Sequence, residues 1–211
     1  LVHYAYELVS LPGFKMSKRR GRFIAFDDIL NEAEKKARSE VDLRSSNLTE
    51  HARGEISRAV GSGAVKFTLL DVTANKQVVF TWDRVLNFET NSAPFVQYAH
   101  ARAFNILQKA SGKTDVVEYS LLKEPIEHEI VMTIASFPEV VVTAADNLNP
   151  SAITNFADDL AAKFNSFYAS IPVLKAEPET LMAARIALVD GVRISLRNAL
   201  HLLGIIALTR M

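Results

Sequence analysis

Residues 91–112 read NSAPFVQYAHARAFNILQKASG, and the architecture of the chain turns on this stretch. Ser92 followed by Pro94 is an N-cap and an early-turn proline, tolerated there because first-turn N–H groups lack helical partners. Val96, Ala99, Ala103, Ile106 and Ala110 then recur at helical spacing until Gly112, a helix-ending residue. The same period continues downstream. Ile126, Ile130, Ile134 and Phe137 are in phase over a helix expected from Pro125 to Ser136. A further helix starts near Pro150 and runs to the Ile171-Pro172 stop. A last one spans Glu179 to Leu203, with Leu181, Leu188, Val192, Leu196 and Leu203 as its apolar stripe. Residues 91–211 therefore predict an all-α bundle.

Upstream the character is mixed. Asp27 or Asp28 suits the N-cap of a helix running to Val41, with Ile29, Leu30, Ala33 and Ala37 on one side. Asn47 and Glu50 suggest a capping arrangement for a second helix that Gly61 and Gly63 would end near Val60. The runs AVKFTLLDV (residues 64–72) and KQVVFTW (residues 76–82) then read as short strands rich in Val, Phe and Thr. The change from mixed to all-α places a domain boundary near residue 90, giving domains 1–90 and 91–211.

Composition bounds the classes of function. Hydrophobic residues make up 49% and charged residues 23% of 211, enough apolar material for a packed core. No apolar run approaches the roughly 20 residues that cross a bilayer. The absence of cysteine excludes disulfides and thiolate metal sites, and is compatible with a reducing, cytoplasmic setting. Five histidines (His3, His51, His100, His128 and His201) show no metal-ligand spacing, so no metal site is expected. Formal net charge is zero, so nucleic acid would have to be held by local patches rather than by the field of the whole chain. The chain starts at Leu1 without a signal-like layout and reads as part of something longer.

One local patch stands out. LPGFKMSKRRGR, residues 11–22, gathers Lys15, Lys18, Arg19, Arg20 and Arg22 beyond a Pro-Gly turn. Clustered ammonium groups on a loop suit the developing charge of a nucleotide's phosphates; a solvated basic loop has the same composition.

Three ordered blocks carry a resemblance. KMSK, between an apolar aromatic run and a helix, is the second signature of class I aminoacyl-tRNA synthetases. The wider string VHYAYELVSLPGFKMSKRRGRFIAFDDIL resembles the arginyl members, especially archaeal-type sequences. FTWDRVLNFETNSAPFVQYAHARAFNIL resembles the run in which those enzymes enter a QYAHAR helix, and NALHLLGIIALTRM resembles their closing segment. Together the blocks span nearly the whole chain.

The resemblance implies a mainly α protein: the end of a Rossmann-like α/β catalytic domain with the KMSK loop, then a helical anticodon-binding domain. It implies that Lys15 and Lys18, with Met16 and Ser17 shaping the loop, hold the phosphates of ATP, accompanied by Mg2+, while L-arginine is activated. Lys18 would be the main phosphate contact; the roles of Arg19 and Arg20 stay open. An arginine tRNA is the implied partner, with neither DNA nor membrane involved. Tyr168 and Met211 match positions where the family meets the anticodon loop, and an exposed aromatic can stack on an unpaired base. Tyr98, His100 and Arg102 of the QYAHAR helix are candidates for the same contact. For Tyr98 and His100, interhelical packing with a hydrogen bond at the tip stands beside that reading, and for Arg102 an intramolecular ion pair does. Phe167 reads as core, and Phe95 replaces the family's usual tyrosine.

The HIGH signature and the arginine pocket have no counterpart here, so the chain alone is expected to be catalytically inactive. Two other readings are open: a different class I synthetase such as the cysteinyl one, and a synthetase-derived tRNA-binding module without catalysis. Trp82 is expected to anchor the mixed region to the bundle. SGKT at residues 111–114 lacks the leading glycine of a P-loop, since Leu107 stands there. HARG, from His51, is expected inside a helix, and Asp158-Asp159 on a solvated face.

Overall fold

A computed structural model describes residues 3–13, 24–44, 48–110 and 117–211. Among them, seven α-helices dominate and strand is minimal. Helix α1 (Phe26–Arg44) carries Asp27 and Asp28 in its first turn rather than at its cap, and Asp28 accepts a hydrogen bond from the Ala25 N–H at 3.3 Å. Ala33, Ala37 and Val41, one turn apart, are buried against α2 (Glu50–Leu70). Thr49 caps α2 by accepting from the Ala52 N–H at 3.3 Å; Asn47, the expected cap, lies outside the described residues.

Helix α2 corrects the sequence expectation. It does not stop at Gly61 but runs on to Leu70, so AVKFTLL of the expected strand is helical and Asp71 is the C-cap. A helix-interior glycine costs about 1 kcal/mol relative to alanine, and here close packing offsets that cost. A Cβ on Gly61 would lie 2.7 Å from the Glu34 backbone nitrogen, so α1 crosses α2 at this point. A Cβ on Gly63 would press on Ile205 and Gln97, so the second glycine admits the end of the chain and a bundle helix. Both glycines are contact sites, not stops.

Of KQVVFTW only β2 (Val78–Val79) is a strand, paired in parallel with β1 (Val9–Ser10) in the register Val9 to Val78. Beneath it Ala33, Ala64, Val65, Phe80 and Val85 form a small core, with the short helix α3 (Trp82–Val85) alongside. Trp82 packs edge-on against Phe80 at 5.1 Å, with the Lys36 ammonium 5.5 Å from its ring. It packs with this small core and not with the bundle core to which it was expected to anchor. Arg84 pairs with Asp71 at 2.9 Å.

The bundle comprises α4 (Ala93–Ala110), α5 (Pro125–Asp146), α6 (Ser151–Ser170) and α7 (Glu179–Leu202), with a 3-10 turn (Tyr119–Leu121) before α5. Ser92 caps α4, its hydroxyl accepting from the Phe95 N–H. Phe156, Leu160, Phe164, Phe167, Leu196 and Leu200 centre the core, and Phe67 of α2 joins it. Helix α5 continues past its expected end to Asp146 with Pro138 inside it. An interior proline removes a hydrogen bond at a cost of about 3 kcal/mol. Packing on both sides of it compensates: Ile134, Phe137, Val140 and Val141 pack on the core, and Phe137 stacks on Phe156 at 4.6 Å. By length and average composition α5 would suffice to cross a membrane, but Glu127, Glu129 and Glu139 interrupt its apolar residues and it packs along α6 and α7.

A polar knot joins the two parts. Asp71, nearly buried, accepts from Arg84, from the Asn91 side chain at 3.3 Å and from Thr154 at 2.9 Å. The Asn91 N–H donates to Asp158 at 2.6 Å. Asp158 is thus a structural acceptor and not the solvated group expected, while Asp159 pairs with Lys163 at 2.6 Å. Burial pushes the Asp158 carboxyl above the usual carboxylate range, against the lowering pull of the Asn91 N–H.

Candidate nucleic-acid interface

Helix α4 presents two faces, and its residue spacing separates them. Gln97 and His100 point inward and are buried. Tyr98, Arg102, Asn105 and Lys109, spaced four, three and four apart, form an outward stripe. Arg102 is held between two aromatic rings, its guanidinium carbon 4.5 Å from the Tyr98 ring centre and 4.8 Å from that of Tyr168 on α6. It also donates to the Asn165 side-chain oxygen, one helical turn before Tyr168. Tyr98 is 39% and Tyr168 46% exposed, so each ring keeps much of its surface open to a ligand.

The last residues of the chain close this groove. Helix α7 ends on Gly204 at φ 65°, a left-handed conformation suited to glycine. The Ile205 N–H bonds the Leu200 carbonyl at 2.8 Å and the Gly204 N–H that of His201 at 2.9 Å, which turns the chain back. The strap that follows is pinned at three carbonyls. Lys66 donates to Gly204 at 2.5 Å, Gln97 to Ile206 at 2.8 Å, and the His100 Nδ1 lies 2.8 Å from the Leu208 oxygen. Met211 is thereby carried to the groove, a hollow of about 240 Å3 that it lines with Tyr98, Arg102, Asn105, Lys109 and Tyr168.

His100 plays a different part from its neighbours. Its contact with a carbonyl requires Nδ1 to carry the hydrogen, which leaves Nε2 as a buried acceptor without a partner among the described residues. Burial, and secondarily Arg193 and Arg197, hold its pKa below the ordinary value, against the raising effect of the Leu208 carbonyl. His100 lies buried beneath the strap, bonded to the Leu208 carbonyl and outside the lining of the groove.

The structure thus brings Tyr98, Arg102, Tyr168 and Met211 together. Among the described residues Arg102 has its partners in two rings and an amide, not in a carboxylate. Lys15, Met16, Ser17 and Lys18, with Arg19 and Arg20, lie outside the described residues, as does SGKT. HARG lies within α2 as expected, with His51 exposed in the first turn, 3.5 Å from Glu55. Among the described residues no group of His, Asp and Glu could hold a metal ion. Sequence reasoning missed Asn105, Lys109 and Asn165. The first two were visible as a polar stripe in register with Arg102; Asn165 needed the α4–α6 packing. A larger hollow of about 600 Å3 lies among Tyr4, Val141, Leu148, Ile153 and Leu202. Its apolar lining has no cation to grip a phosphate, so the smaller polar groove is the candidate.

Comparisons with known proteins bear on the family and the fold. Residues 96–211 match the family model of the DALR anticodon binding domain. The chain is 44% identical over 211 residues to an arginine–tRNA ligase of Ignicoccus hospitalis, covering all of this chain and 33% of that protein. It is 44% identical over 206 residues to that of Methanocella arvoryzae, covering 98% of this chain and 36% of that one. Among solved structures, arginyl-tRNA synthetase of Thermus thermophilus superposes with a TM-score of 0.89 at 34% identity, covering 98% of this chain and 35% of its own. The Plasmodium falciparum enzyme, at 19% identity and a TM-score of 0.77, shares the fold over 90% of this chain and 34% of its own. The chain spans about one third of the length of the curated relatives it matches.

Proposed function

The chain belongs to the family of the DALR anticodon binding domain, and from that premise we propose that it is the tRNA-reading part of an arginine–tRNA ligase. In this reading the whole enzyme attaches arginine to its cognate tRNA in the cytoplasm, through an ATP-derived arginyl-adenylate. This chain holds the anticodon loop in the groove between α4 and α6. Domain 91–211 is the reader, and 1–90 is the end of the catalytic domain.

One observation carries the reading: Arg102 clamped between Tyr98 and Tyr168, with Met211 delivered beside them. Each tyrosine is oriented before RNA arrives, so a base gains a stacking partner without ordering it, and stacking contributes about 1–3 kcal/mol per base. Met211 adds a polarizable apolar surface that adapts to a base face. Arg102 brings positive charge to a site that phosphates must approach. Gln97 and His100 act through the strap, as positioning residues for Met211.

For the loop at residues 15–18, the chemistry of the side chains supports a phosphate role. Two ammonium groups, Lys15 and Lys18, and the hydroxyl of Ser17 would hold ATP phosphates, with Met16 shaping the turn. Mg2+ would arrive with the nucleotide and neutralise part of its charge.

The test is binding of the folded chain to an arginine tRNA transcript and to one with its middle anticodon base changed. The expected result is a sharp loss with the altered anticodon, abolished in Tyr168→Ala. Equal binding of both transcripts by the wild-type chain would overturn the reading.

A further inference from the structure

The groove does not end at Tyr168. A second hollow of about 270 Å3 adjoins it, formed by the end of α4, the end of α6 and the α6–α7 connection, and shares Ile106, Lys109 and Tyr168 with the first. Ile171, Val173 and Leu174 give it an apolar lining, and Lys109 and Lys175 stand exposed at its rim. No described carboxylate is paired with either lysine. Tyr168 is the aromatic ring that lines both hollows.

The wall of the second hollow is preformed. Val173 and Ala176 are buried, and the Pro172 carbonyl accepts from Arg185 Nη1 at 3.0 Å. Arg185 is in turn fixed by Glu127, Nε to Oε1 at 2.6 Å, both side chains being buried. The other Glu127 oxygen accepts from the Glu124 N–H at 3.0 Å, closing the cap of α5. A connection pinned this way keeps its shape without a ligand, so binding there pays little ordering entropy.

We propose that this hollow is a second nucleotide subsite, and that a single RNA strand crosses Tyr168 from one hollow to the next. The adjoining base lies on the apolar lining of Ile171, Val173 and Leu174, and its phosphate sits between Lys109 and Lys175. The inference rests on the reading of the first hollow as an RNA interface. Three features on the same surface favour RNA as the occupant. An aromatic ring shared by both hollows suits stacked bases, an apolar bed suits a base face, and two lysines without a carboxylate partner among the described residues suit the backbone. Because the net charge of the chain is zero, these local cations are what a phosphate would find here.

The experiment titrates an arginine anticodon stem-loop RNA, over a series of salt concentrations, into the folded chain and its Lys109→Ala, Lys175→Ala, double-lysine and Tyr168→Ala variants. Circular dichroism and thermal melting establish folding of each. Loss of one phosphate contact flattens the log–log salt slope by about 0.7 on a single strand, so the double variant should lose about 1.4. The lysine variants should weaken cognate and altered anticodons equally, whereas Tyr168→Ala should erase the discrimination and leave the slope unchanged. A double-lysine variant with the wild-type slope, alongside a Tyr168→Ala variant that binds weakly, would overturn the second subsite and leave the groove reading standing. No binding by the folded wild-type chain, or binding indifferent to Tyr168 and both lysines alike, would overturn both; a protein partner would then be the remaining occupant.

Discussion

The clamp around Arg102 makes a quantitative claim. Its guanidinium meets two rings at 4.5 and 4.8 Å and one amide oxygen. A cation–π contact at a partly exposed site is worth about 0.5–1 kcal/mol, and a hydrogen bond about 1 kcal/mol net. Arg102→Ala should then cost about 2–3 kcal/mol, which for a chain of this size lowers Tm by roughly 5–10 °C. Tyr168→Leu removes one of the contacts and part of the buried ring. In a double-mutant cycle the two changes should not add. Removing Tyr168 should cost about 0.5–1 kcal/mol less once Arg102 is absent, since that contact can be lost only once. Urea denaturation of the four proteins measures the coupling. A coupling within about 0.3 kcal/mol of zero, with unchanged m-values, would refute the idea that Arg102 orders the rings energetically. The same four proteins titrated with RNA should show coupling of the same sign, because an unclamped ring must be ordered on binding.

Three further outcomes test the packing that builds the site. The His100 imidazole titrates below its ordinary 6.5 in the folded chain, so below that pH the unfolded state binds more protons. Stability should be fully present above about pH 6.5 and fall as pH drops toward the lowered native value. Comparing denaturation at about pH 7.5 and 5.5, His100→Asn, which keeps a donor near the Nδ1 position and does not titrate, should lose less than wild type; equal losses would reject the assignment. Gly61→Ala should destabilise by about 1–3 kcal/mol, because its Cβ meets the α1 backbone, whereas Gly54→Ala, whose Cβ meets nothing, should stabilise by about 0.5–1 kcal/mol in the same melts. Glu127→Ala should cost about 3–5 kcal/mol by leaving Arg185 buried without its carboxylate; a loss under about 1 kcal/mol would show that the α6–α7 connection is not pinned as described.

The bundle was legible because its signals are local. Ser92 caps α4, a proline opens α5, and apolar residues recur every three or four positions, so each helix announces itself within its own twenty or so residues. The two large misreadings share one cause. Gly61 and Pro138 are breakers by propensity, and both lie inside helices because neighbours distant in sequence outweigh the local cost: α1 backbone at Gly61, the bundle core around Pro138. Trp82 was misplaced for a related reason, since its partners, Phe80 and the α1 face, depend on how α1 crosses α2.

By itself the sequence determined that residues 91–211 would be helical and that cysteine chemistry was excluded, and it offered Tyr98, His100, Arg102, Tyr168 and Met211, with the loop at residues 15–18, as candidates. Helical period, caps and residue chemistry are properties of short windows, and a family resemblance is a property of order along the chain. Only the tertiary structure decided which of those residues meet. Arg102 and Tyr168 are sixty-six positions apart (168 − 102), and Leu208 reaches His100 across a separation of 108. Such contacts arise from how α4, α6 and the strap pack. The same packing sent His100 inward, because burying one face of α4 turns position 100 to the strap while positions 98 and 102 face the groove.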